Sequence, residues 1–73
     1  MNQITFQVEQ DVNDGGYVAE AYVTEDEHIV TQGDTIEELK LMIKDALECH
    51  FENPLEIPKT VVLNFMRQEI FAI

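Results

Sequence analysis

A chain of 73 residues suffices for one small domain, and at that size folding buries only about 60% of the surface exposed by the unfolded chain. Fifteen Asp and Glu against four Lys and Arg give a formal charge of −11, so direct DNA or RNA binding is not expected: such affinity comes from Lys and Arg displacing counterions. No signal-peptide pattern opens the sequence and no apolar run approaches the roughly 20 residues that span a bilayer, which leads us to expect a soluble, cytoplasmic protein. The single cysteine, Cys49, has no disulfide partner in the chain and no metal-ligand spacing around it.

In chain order, Ile4, Phe6 and Val8 alternate with Thr5, Gln7 and Glu9, the period of two that predicts a strand over Gln3 to Glu9 with one buried face. Asn13, Asp14, Gly15 and Gly16 tolerate positive φ and predict a hairpin reversal. The second strand is expected over Tyr17 to Val23, with Tyr17, Ala19, Ala21 and Val23 on one side and Val18, Glu20 and Tyr22 on a wetter one. Thr24 to Glu27 reads as an acidic turn, Ile29 to Thr31 as a short third strand, and Gln32–Gly33 as the link to a helix.

Thr35 and Glu38 have the spacing of a capping box, in which hydroxyl and carboxylate reciprocally satisfy free N–H groups at a helix start. At 100° per residue, Ile36, Leu39, Ile43, Ala46 and Leu47 form one apolar stripe, with Met42 and Cys49 at its margin. Glu37, Glu38, Lys44, Asp45, Glu48 and Glu52 cover the opposite side. Asn53, Pro54 and Pro58 predict a stiff loop, because proline lacks the donor that would extend the helix. A last strand begins near Thr60, where Val61, Leu63 and Phe65 alternate with Val62, Asn64 and Met66; a bulge or break is expected near Arg67, before the apolar run Ile70 to Ile73.

The resulting order, β-β-β-α-β, predicts an α+β fold in which one helix packs on one face of a four-stranded mixed sheet. A meander of three strands followed by a right-handed crossover through the helix gives the strand order 3-2-1-4. Since one helix leaves apolar surface uncovered, a homo-oligomer, most simply a two-fold dimer, is expected, with Leu41, Phe71 and Ile73 as contacts. Charge is also unevenly placed. No Lys or Arg precedes Lys40, while Glu9, Asp11, Asp14, Glu20, Glu25, Asp26 and Glu27 crowd the first half, a field that would steer a basic partner.

No catalytic constellation is visible, and no enzyme activity, cofactor or metal is expected. His28 reads as a surface residue in an acidic turn, and His50 as a cation favoured by the dipole at a helix C-terminus; neither has a partner at zinc spacing. Asp11, Asn13 and Gly16 have the look of a calcium-loop start, but the position that should supply the bidentate carboxylate holds Tyr22. There is no phosphate-cradling glycine loop.

The run Asp14-Gly15-Gly16-Tyr17-Val18-Ala19-Glu20, followed by Val30-Thr31-Gln32-Gly33-Asp34-Thr35 and Glu37-Glu38, resembles the HicB-like antitoxin family over about residues 4 to 52. The resemblance implies a truncated RNase H-like β-β-β-α-β unit, and a function in neutralising a small basic mRNA-cleaving toxin of the HicA-like kind. The chain reads Tyr22-Val23-Thr24-Glu25-Asp26-Glu27-His28-Ile29 where the family usually has a Pro-x-Leu-Pro-Gly-Cys segment. It reaches its last strand without the C-terminal DNA-binding domain that many members carry, so a single domain over residues 1–73 and no operator binding are expected. On this reading Glu25, Asp26 and Glu27 attract the toxin, with Tyr17, Tyr22 and Ile29 as anchors. The alternative is a structural or accessory protein whose main act is self-association.

Overall fold

The computed structural model describes residues 2–11, 13–66 and 71–72. Strands β1 (Gln3–Gln10), β2 (Tyr17–Tyr22) and β3 (His28–Gly33) precede helix α1 (Ile36–His50), a 3₁₀ turn over Pro54–Glu56, and strand β4 (Thr60–Met66). The four strands make one sheet in the order β3-β2-β1-β4; β1 and β2, and β2 and β3, run antiparallel, and β1 and β4 run parallel. The expected α+β fold and its strand order are thus observed. The bulge or break expected near Arg67 lies outside the described residues, as does Ile73.

Period-two patterning sets which residues are inside. Ile4, Phe6 and Val8 of β1, Ala19 and Ala21 of β2, and Ile29 of β3 point to the helix side and bury there with Leu39, Ile43 and Leu47 of α1. Ile36 and Ala46, the other stripe residues, are only half-buried. The β1–β2 loop is closed by the Asp11 N–H donating to the Gly16 carbonyl at 2.7 Å and the Gly15 N–H donating to the Asp11 carbonyl at 2.8 Å. Gly15 takes φ +79°, the left-handed region in which a side chain is costly.

The third strand is longer than Ile29 to Thr31, because Gln32 and Gly33 continue the ladder opposite Val18 and Tyr17. Gly33 is where that strand meets the helix: a Cβ there would lie 2.6 Å from the Leu39 backbone nitrogen, so only glycine permits this approach. The capping box is half as expected. Thr35 Oγ1 accepts from the Glu38 N–H at 3.1 Å, but the Glu38 carboxylate takes the Asp34 N–H at 3.3 Å rather than that of Thr35. Replacing Thr35 by Ala should cost about 1 kcal/mol, read as a shift of the denaturant midpoint with unchanged slope.

The helix lies over β3 and β2 and leaves β4 beside it rather than beneath it. A helix about 10 Å across spans roughly two strands spaced near 4.8 Å, so it cannot roof four. The consequence falls on β4: its helix-side residues Val61 and Phe65 remain 38% and 49% exposed, although their alternation with polar positions reads as a buried face. The sheet's other face is mixed rather than apolar, with Thr5, Gln7, Glu9, Glu20 and Asn64 among its exposed side chains. Val18, Tyr22, Val30, Val62 and Met66 stand exposed among them, so apolar surface is left uncovered on β2, β3 and β4 alike.

Candidate functional site

The acidic turn between β2 and β3 is held in place by its own side chains. The Val23 N–H donates to the Glu27 carbonyl at 2.8 Å, and Thr24 Oγ1 accepts from the N–H groups of Asp26 and Glu27 at 3.3 and 3.1 Å. Helix α1 rises about 22 Å over its fifteen residues, close to the roughly 20 Å of six-residue β3, so its end returns over the start of that strand. This brings His50 to Glu27, with Nε2 2.8 Å from Oε2. The sequence separates these residues by 23 positions, which is why His50 reads there only as a helix-end cation.

On the open face, the β2–β3 register sets Tyr22 opposite His28, and their rings stack with centroids 4.4 Å apart and planes 13° from parallel. His28 Nε2 also lies 3.2 Å from Glu20 Oε2, one pleat along. Tyr22 stays 64% exposed, so the stack presents an aromatic surface at the strand ends that flank the turn carrying Glu25, Asp26 and Glu27.

The other two expected anchors do not join it. Ile29 is 6% exposed and belongs to the core, because odd positions of β3 face the helix. Tyr17 is half-buried on the helix side, edge-on to Phe65 at 6.4 Å, and sits at the far end of β2, about 17 Å from the turn by strand rise. The acids of the first half also divide. Glu20 and the turn acids form one group, while Asp11, Asp14, Asp34 and Glu38 gather around a cleft of about 300 Å³ at the opposite end of the strands. Within it, Asp11 and Asp14 spend carboxylate oxygens on the N–H groups of Asn13 and Gly16. Among the described residues no group of three or more His, Cys, Asp or Glu is placed to hold a metal ion, and no helix is long and apolar enough to cross a membrane.

The tether predicts a local effect. Replacing His50 by Ala should speed amide exchange at Val23 and within the turn, while changing global stability by no more than about 1 kcal/mol, as expected of a partly exposed side-chain hydrogen bond. Equal exchange in both proteins would show that Thr24 alone fixes the turn.

Comparison with known proteins finds two relatives. A UPF0150 protein of Thermotoga maritima is 47% identical over 60 residues, covering 82% of this chain and 79% of that one. A UPF0150 protein of Archaeoglobus fulgidus is 49% identical over 49 residues, 67% of each chain. No family model and no solved structure matches. At that identity and coverage, the chain belongs to the UPF0150 family.

Proposed function

We propose that this protein is an antitoxin-type inhibitor: it binds a small basic mRNA-cleaving toxin by protein–protein contact and performs no catalysis of its own. The observation that carries the reading is the ordered acidic turn with its exposed Tyr22–His28 stack. Acidity alone is a feature of many solvated surfaces; a fixed acidic loop beside an exposed aromatic is what a cationic protein surface can both find and hold. The paired HicB-like motifs, Asp14–Glu20 and Val30–Glu38, support the same reading. The turn acids supply long-range attraction, and Tyr22 supplies area buried on contact at little entropy cost. Ile29 and Tyr17 serve the fold instead.

The test is to mix the purified protein with a basic RNA-cleaving toxin encoded beside its gene and follow cleavage of RNA. Excess protein should stop cleavage; undiminished cleavage at excess would reject the proposal.

A further inference from the structure

The gap between α1 and β4 is an open groove of about 420 Å³, within the size range of small-molecule sites. Ile43 and Leu47 of the helix form one wall, Val61 and Leu63 of the strand form the floor, and Ile57 with Pro58 closes one end. It exists because α1 lies over β3 and β2 and leaves the helix side of β4 open.

Lys40, Lys44 and Lys59 rim the groove, three of the four Lys and Arg in a chain that carries fifteen Asp and Glu. Lys40 and Lys44 stand one helical turn apart on α1 and Lys59 immediately precedes β4, so the cations come from both sides. Glu48 is the one acid on the lining, and residues 57–66 contain no Asp or Glu. Among the described residues the ion pairs are His28–Glu20 and His50–Glu27, so none of the three lysines has a carboxylate at salt-bridge distance. In a chain with acids to spare, three bases are left together and unneutralised over an apolar floor. A lysine lays its apolar stem along such a floor and keeps its ammonium in water, which puts a positive fringe around an apolar trough.

We propose that this groove binds an anionic amphiphile of the fatty-acid type, its single carboxylate held at the rim by Lys40, Lys44 and Lys59 and its unbranched tail lying on Val61 and Leu63 against Ile43 and Leu47. Both halves of the ligand are needed. A carboxylate alone meets hydrated, flexible ammonium groups with no preorganised fork, and a tail alone gains nothing from the cations. Charge decides against a larger acidic occupant. A peptide or protein with many acids carries them into the field of a chain at −11, whereas a monoanion meets three cations at short range and, with a Debye length of about 8 Å at physiological salt, little of the distant acid. A second copy would bring lysine onto lysine. The site shares no residue with the β2–β3 turn, so it does not rest on the antitoxin reading.

Decanoate is the probe, titrated below its micelle concentration into the isotope-labelled full chain and followed by amide shifts. Saturable shifts are expected at Ile43, Leu47, Val61 and Leu63, with the loop from Asp11 to Gly16 unmoved. Octanoate should bind more weakly, by up to about fourfold for each methylene removed, and acetate should not bind. Decyltrimethylammonium, the same tail with the opposite charge, should bind weaker than decanoate by on the order of tenfold. Replacing Lys40, Lys44 and Lys59 together by Gln should weaken decanoate by a similar factor, roughly tenfold, and because these side chains are exposed the fold should survive. The comparison of probes uses the unaltered protein and does not depend on that variant. No saturable binding, equal binding of the cationic probe, shifts spread evenly over the sheet, or undiminished binding to the lysine variant would each overturn the proposal. So would the same amides shifting on dilution of the protein alone, which would give the groove to a second copy, or tighter binding there of a peptide of alternating Leu and Glu, which would give it to an acidic protein.

Discussion

Phe6→Ala is expected to unfold this protein or bring it to the edge of unfolding. Phe6 has no exposed surface and sits in the middle of β1, one of the two strands with neighbours on both sides. Truncating a buried Phe costs about 3–5 kcal/mol, the lost transfer energy plus the cavity left behind. A chain of 73 residues has in total roughly 4–11 kcal/mol at ordinary per-residue stability. Among the described residues nine apolar side chains make up the buried core, so little remains to absorb the loss. Circular dichroism with a denaturant titration checks this, and Val62→Ala on the open face provides the contrast, with a shift of about 0.5 kcal/mol or less. A Phe6→Ala protein as stable as the parent would mean that the core is not centred on β1.

The second large effect concerns the partner. Reversing Glu25, Asp26 and Glu27 to Lys should slow association with a basic toxin by roughly 10- to 1000-fold at low salt, the range over which steering by surface charge acts. These side chains are exposed, so the fold should survive. Because Glu27→Lys also removes the contact to His50, His50→Ala is the control that separates a loosened turn from a lost charge. Stopped-flow association measured on all three proteins decides between them; a charge-reversed protein that binds as fast as the parent would remove the turn from the interface.

How legible the molecule is in its sequence depends on whether a feature is local. The alternation of Ile4, Phe6 and Val8, the stripe of Leu39, Ile43 and Leu47, and the Thr35 cap depend on residues a few positions apart, and each appears where its pattern places it. Strand order follows from a meander plus the handedness of a crossover. Ile29 and Tyr17 read as anchors because they neighbour acids in the chain, yet in a strand adjacent residues face opposite ways, and only the β2–β3 register decides which is wet. His50 on Glu27 depends on the helix length matching the strand it returns over. The gap between α1 and β4 is less legible still. Lys40, Lys44 and Lys59 look scattered in sequence and meet only because one helix is too narrow for four strands.

The central claim is that the hydrogen-bonded β2–β3 turn, with Glu25, Asp26 and Glu27 and the exposed Tyr22–His28 stack, receives a cationic protein partner. The most direct measurement is a salt titration of the rate of toxin binding, as the Debye length falls from about 10 Å at 0.1 M to about 3 Å at 1 M. The expected result is that toxin binding slows steeply as salt rises. A binding rate indifferent to salt would contradict the part given to the acids of the β2–β3 turn.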